Sequence, residues 1–246
     1  MFEKFKNKYI FTGDLIVKTA LHIGAGIEYD DKDSPFVRTS RQGFYYIPGS
    51  SFRGYLRSKI EKYLNDNNQY HIYNNKGEKL NNQTINNLFG YTDKDSSQAT
   101  KVFIEDMLLI TDKFVDSDKC KNMGDIVTVT RDGIKINPET GTTEKGGKFD
   151  YDVITMGNIF EFRIVLENIE DYELDLIKLG LMEICSQDGD LIGGKLSRGI
   201  GRCFIENLTL HSVDANSIED VKNYFFKGEM KNIKLDKLEI NNIDIK

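Results

Sequence analysis

The 246-residue chain is short of cysteine, of histidine and of long apolar runs. Its three cysteines, Cys120, Cys185 and Cys203, are odd in number, widely spaced and never at a C-x-x-C interval, which argues against a disulfide framework and a structural zinc site. They read as ordinary small residues of core or surface. No stretch of about 18 apolar residues occurs, and the N-terminus MFEKFKNKYIF carries charge inside any would-be apolar region, so neither a transmembrane helix nor a signal peptide is expected. No membrane partner is implied, and the cytoplasm is the default compartment. A GxxxxGK[ST] phosphate loop is absent, as is any repeat of solenoid length. Among the histidines, His71 falls in a loop and His211 in a late strand, neither with a visible acid-base partner. His22, in LHIG at a strand end among apolar neighbours, reads as a structural imidazole rather than a general base.

What is present supports a real core, with 39% hydrophobic residues. The net charge of −6 weighs against a nucleic-acid partner until its distribution is considered. From Met1 to Ile60 ten Lys and Arg face six Asp and Glu, and Gly193 to Cys203 carries Lys195, Arg198 and Arg202 with no acid. Acid collects elsewhere, as in Glu167, Glu170, Asp171, Glu173 and Asp175, so a molecule with one basic face is expected.

Periodicity predicts a strand over Lys8 to Thr19 and a helix in PGSSFRGYLRSKIEKYL, where Ser50 or Ser51 serves as N-cap and Phe52, Leu56, Ile60 and Leu64 form a buried stripe. Arg53 and Arg57 share a different face of that helix. The Asn-rich stretch NDNNQYHIYNNKGEKLNNQTINN reads as an insertion or mobile loop, and KVFIEDMLLI, from Lys101, as the second strand. Between Asp125 and Met156 alternating segments flank GTTEKGG, a tip with nothing apolar to bury, so a projecting hairpin arm is expected. A strand IFEFRIVLEN, a helix from Tyr172 to Cys185, a glycine-rich segment and a strand CFIENLTLHS follow. The tail from Val213 reads as a short helix and a polar strand. This order predicts an α+β chain with a ferredoxin-like (RRM-like) antiparallel sheet, helices on one face and a long β-hairpin insertion, a class that also holds RNA-recognition modules. The expected organisation is one domain, with a core of roughly 8–211, the hairpin at roughly 125–156 and an extension over 212–246.

Two segments carry the chemistry. In GGKLSRGIGR, Gly193, Gly194, Gly199 and Gly201 would let backbone N–H groups approach a phosphate, while Lys195, Arg198 and Arg202 supply charge. In PGSSFRGYLR, Ser50, Ser51 and the first amides of a helix make an anion site with Arg53 and Arg57 beside it. Each alone is equally an ordinary tight connection or a capped surface helix. Tyrosines such as those in FYYIPG read as core or interface rather than base-stacking platforms.

With LHIGAG, DSPFVR, YIPGSSFRGYLRSKIE, LFG, TRDGIKINPETGT, KFDYDV and GGKLSRGIGR in this order, the chain resembles the RAMP superfamily of CRISPR-associated proteins over most of Leu21 to Arg202. Within that family it resembles the backbone subunits of type III effector complexes. The resemblance implies a subunit that polymerises along a CRISPR guide RNA with other effector subunits and copies of itself, presenting the guide to a target RNA. Arg53, Arg57 and the Gly193 to Arg202 loop would contact guide phosphates, and the hairpin would be a "thumb" crossing guide and target. By the same resemblance, Asp33, the aspartate before Ser-Pro, is the residue associated with metal-dependent target cleavage and would hold Mg²⁺. The lead-in EYDDKDSP departs from the commoner glycine-containing form, so Asp30 or Asp31 could share or displace that role. An architectural subunit without catalysis, and a free-standing guide-processing nuclease using His22, stay open as alternatives.

Overall fold

A computed structural model describes residues 4–26, 34–39, 43–93, 96–114 and 127–246. Strand β1 (Asn7–Val17) directs Phe11, Leu15 and Val17 into the main core. Helix α1 (Gly49–Tyr63) lays its stripe of Phe52, Leu56 and Ile60 against it, as the i, i+4 spacing predicts. The cap differs from expectation. Pro48 precedes the first turn without a side-chain cap, Ser50 and Ser51 lie inside the helix, and Gly49 N–H donates to Asp106 Oδ1 at 2.7 Å. Proline has the right φ to enter a helix, and a carboxylate from another segment satisfies the orphan amide.

The Asn-rich stretch holds more structure than expected. Asn81 caps α2 (Asn82–Phe89), which buries Ile85, Leu88 and Phe89, and Ile72–Asn74 pairs antiparallel with Ile243–Ile245 near the C-terminus. The single strand expected from Lys101 is two, Val102–Ile104 and β2 (Met107–Phe114), broken at Glu105 and Asp106. The arm is a hairpin of β3 (Thr128–Ile136) and β4 (Thr143–Ile154), with Gly133 opposite Phe149 and Asp132 opposite Asp150. Next come β5 (Asn158–Glu167), α3 (Asp171–Leu181), β6 (Arg202–Asp214) and α4 (Ile218–Lys227), followed by Lys231–Lys234 pairing on β6.

The long strands lie in the order β6-β1-β5-β2, all antiparallel. Setting the hairpin aside, that is fourth, first, third, second along the chain, with α1 after the first and α3 after the third. The expected ferredoxin-like fold is therefore present. Phe160, Phe162, Ile164 and Leu166 of β5 and Ile205 and Leu208 of β6 join β1 beneath α1 and α3. Each such fully buried side chain contributes roughly 1.5–3 kcal/mol relative to exposure. The helices touch closely at Gly180, where a Cβ would lie 2.6 Å from Leu56 Cδ1. Among the described residues no helix is long and apolar enough to cross a membrane.

Candidate nucleic-acid interface

Leaving β1, the chain is fastened along one edge of the sheet. Leu21 and Ile154 exchange backbone hydrogen bonds of 2.9 and 2.8 Å, which tie the segment to the end of β4. The glycine-rich loop is laid on its other side: Gly194 N–H donates to the His22 carbonyl at 2.8 Å, and Gly201 N–H to that of Ala20 at 2.6 Å. Gly193 has φ +87°, and a Cβ there would fall 2.4 Å from the His22 carbonyl oxygen. That glycine serves a close approach of protein backbone to protein backbone, which composition alone does not distinguish from an approach to phosphate.

Beside this junction runs an open groove of about 450 Å³. One wall is the α1 face carrying Ser51, Gly54, Tyr55 and Ser58; the other is Ile192, Gly193, Gly194 and Leu196, with Ile23 and Gly24 between them. The fold thus brings Ser51 and the loop glycines together. Ser50 is exposed in the first turn of α1, beside the groove lining. Gly199 lies at φ +76° with nothing within 4 Å of where a Cβ would be, on the open side of the loop.

The charged residues separate into two sets. Arg53 donates from Nη2 to the Phe89 carbonyl at the end of α2, with its guanidinium 5.5 Å from the Phe89 ring centre. Arg57 bonds Glu61 at 2.7 Å and Asn86 at 3.0 Å. Both arginines therefore face α2 and hold protein partners there. Arg202 turns back to the carbonyls of Asp188 and Gly189, at 3.1 and 3.4 Å. Arg198 ends a single 3-10 turn, Leu196–Arg198, entered through Lys195 in the left-handed conformation at φ +58°. Lys195 Nζ lies 4.7 Å from the Tyr151 ring centre and 5.4 Å from that of Phe149, and the Arg198 guanidinium carbon is 4.9 Å from the Phe149 centre. Phe149 and Tyr151 stack at 6.3 Å with 25° between planes, and Tyr151, Val153, Ala20 and Ile200 form a small second core under them. These two aromatics were missed from sequence as parts of the site; alternation in KFDYDV places them on one strand face, which was the available signal.

His22 is buried, and its two ring nitrogens meet Asp152 O at 2.7 Å and Ser34 Oγ at 3.3 Å. A carbonyl only accepts, so Nδ1 carries the proton and Nε2 accepts from the serine hydroxyl. Burial lowers the pKa of His22 despite the backbone acceptor, and the nearby Lys195 charge acts the same way as burial. Ser34 is further held because its carbonyl accepts from Asp152 N–H at 3.1 Å, while the Pro35 carbonyl accepts from Ala25 at 3.1 Å.

Asp33, Asp30 and Asp31 lie outside the described residues. Among the described residues no group of three or more His, Cys, Asp or Glu is placed to hold a metal ion. The acids at Glu28, Asp30, Asp31 and Asp33 are a hard oxygen donor set, the chemistry that suits Mg²⁺ rather than a thiolate- or imidazole-seeking metal.

Residues 14–204 match the model of the RAMP superfamily. The chain is 30% identical over 206 residues to a protein of Enterococcus italicus named CRISPR system Cms endoribonuclease Csm3, covering 80% of this chain and 88% of the relative. Proteins of the same name from Methanocaldococcus jannaschii and Streptococcus thermophilus are 26% and 25% identical, covering 83% and 85% of this chain and 81% and 92% of the relatives.

Proposed function

This chain belongs to the RAMP superfamily, and from that premise we propose that it is a guide-RNA-binding backbone subunit of a type III CRISPR ribonucleoprotein complex and a metal-dependent endoribonuclease toward the target RNA. One observation carries the reading: the backbone bonds from Gly194 to His22 and from Ile154 to Leu21 fasten the basic loop, the foot of the hairpin and the Leu21–His22 segment after β1 into one frame. A site that must bind any guide cannot depend on base identity, and the groove lining includes Ser51, Ser58, Gly24, Gly54, Gly193 and Gly194. Serine hydroxyls and glycine backbone let a sugar-phosphate strand approach closely, while Lys195 and Arg198 supply charge at its end. Further copies of this chain and other effector subunits would continue the path along the guide, and the β3–β4 hairpin would cross guide and target.

Asp33 would hold Mg²⁺, which when bound supplies charge at the scissile phosphate and makes a bound water more acidic. The residues around it have a separate task. His22 and Asp152 clamp Ser34, restricting the segment next to Asp33 in sequence, and the loop cations keep the RNA strand against that edge.

The test is target cleavage by the assembled complex. We expect wild type to cut complementary RNA at regular spacing in Mg²⁺ and not in EDTA. Asp33→Ala should bind guide and target but not cut, since base pairing and the cations of the loop, not one metal site, carry the attraction to RNA. Asp30→Ala and Asp31→Ala carry the same charge change and should cut at near wild-type rates. Wild-type cutting by Asp33→Ala overturns the catalytic assignment, and a wild-type complex that pairs with target without cutting it overturns the nuclease half of the proposal.

A further inference from the structure

Lys195 and Arg198 differ from the other cations near the groove in what they touch. Arg57 is paired with a carboxylate, and Arg53 and Arg202 donate to carbonyls. Among the described residues Lys195 and Arg198 form no ion pair and no side-chain hydrogen bond, and their close neighbours are the rings of Phe149 and Tyr151. The chemistry of that choice matters for an RNA site. A carboxylate partner would fix a lysine but cancel its charge and repel phosphate. A ring face attracts the cation through its quadrupole and leaves the charge in place. It also leaves the edge of a guanidinium, and the outward N–H groups of an ammonium, able to donate.

Phe149 can take this position because of the residue across the hairpin. It pairs with Gly133, and a Cβ on Gly133 would lie 2.2 Å from Phe149 Cζ, so the ring lies across the strand where any other residue would push it away. We infer that Phe149 and Tyr151 are positioning residues for RNA, holding the Lys195 ammonium and the Arg198 guanidinium ready for backbone phosphates without neutralising them. This rests on the reading that the Gly193 to Arg202 loop meets the RNA backbone. Long cationic side chains lose conformational freedom when they bind, and holding them beforehand removes part of that cost.

The experiment titrates the full chain with single-stranded RNAs of unrelated sequence, and with an abasic strand, over a range of salt. Tyr151 is buried, so Phe149 carries the test. Phe149→Leu should bind roughly tenfold more weakly, about 1.4 kcal/mol, with a wild-type salt slope, because the same phosphates are still neutralised. Phe149→Tyr should restore binding. Gly133→Ala, which displaces the ring without truncating it, should behave like Phe149→Leu, and melting temperatures should stay within a few degrees of wild type. The double variant Lys195→Ala, Arg198→Ala should instead lower the salt slope by roughly 0.7 per lost contact. If the double variant changes neither affinity nor slope, the loop does not meet RNA and the underlying reading fails. If it lowers the slope while Phe149→Leu binds like wild type, the RNA reading stands and the positioning role is overturned. Tighter binding by Phe149→Leu overturns that role too, as does a loss confined to strands that carry bases.

Discussion

His22 and Ser34 are joined side chain to side chain across twelve positions of sequence, Nε2 to Oγ at 3.3 Å, and in the neutral ring Nε2 accepts from the hydroxyl. Burial lowers the pKa of this imidazole below its ordinary value near 6.5. A depressed histidine stabilises the fold fully above the unfolded-state value, and that stability is lost as pH falls from about 6.5 through the lowered folded value. Urea midpoints should therefore fall between pH 7 and pH 5 in wild type. His22→Gln, which can donate and accept without titrating, should be less stable at pH 7 by roughly 1–3 kcal/mol and show a flatter profile over that window. An equal slope in both proteins would mean that another group sets the pH dependence.

Neighbouring glycines of the loop offer a sharper contrast. Gly193 sits at φ +87° and a Cβ would strike the His22 carbonyl at 2.4 Å, whereas Gly194 has no positive φ and would meet His22 Cδ2 at 3.4 Å. Backbone cannot swing aside as a side chain can. Gly193→Ala should cost at least about 2 kcal/mol, from a φ that alanine rarely adopts and from displacement of the loop. Gly194→Ala should cost less than about 1 kcal/mol. Chemical denaturation of the two variants decides it, and equal losses would contradict the close packing of loop on segment.

The β-α-β, hairpin, β-α-β order was legible because its elements are long and their apolar periods clear. Phe52, Leu56 and Ile60 mark α1 without help from any neighbour, and Phe160, Phe162 and Ile164 mark β5. The α2 helix was hidden because asparagines dominate its surroundings and Ile85, Leu88 and Phe89 are the helix's own apolar residues, although Asn81 and Thr84 form a capping box there. Arg53 and Arg57 show the limit for the site. Their i, i+4 spacing says that they share a helix face, but which element covers that face is decided by where α2 packs. The same holds for Phe149 and Tyr151, which alternation aligns and only the fold sets beneath Lys195. Three-residue strands such as Ile243–Ile245 carry too little periodicity to announce a partner.

One buried carboxylate gathers two backbone amides of the C-terminal segment, beside the pairing of Ile243–Ile245 with Ile72–Asn74. Asp175 is fully buried; its Oδ2 accepts from the amides of Asn241 and Asn242 at 2.8 and 2.7 Å, and its Oδ1 from Lys178 Nζ at 2.9 Å. Burial alone would raise the Asp175 carboxyl, but Lys178 and the two amides outweigh it and hold the group below the usual range near 3.9. Its contribution is thus present above that value and lost as pH falls through the lowered folded one. Truncation after Leu238 strips away the amides and leaves a buried carboxylate with Lys178, at a cost of roughly 3 kcal/mol at pH 7. In an Asp175→Leu background the truncation strips no amides from a carboxylate, so the same truncation should cost at least about 1 kcal/mol less, even though the pairing of Ile243–Ile245 with Ile72–Asn74 is lost in both. In the truncated protein the two amides no longer favour the charged form of the carboxyl, so acid costs it less stability than it costs the full-length chain. The gap between the two should hold down to about pH 5 and narrow as pH falls from there towards about 2, measured by urea midpoints. A gap that is constant with pH, or additive with Asp175→Leu to within about 0.5 kcal/mol, would show that strand pairing and not Asp175 anchors the segment.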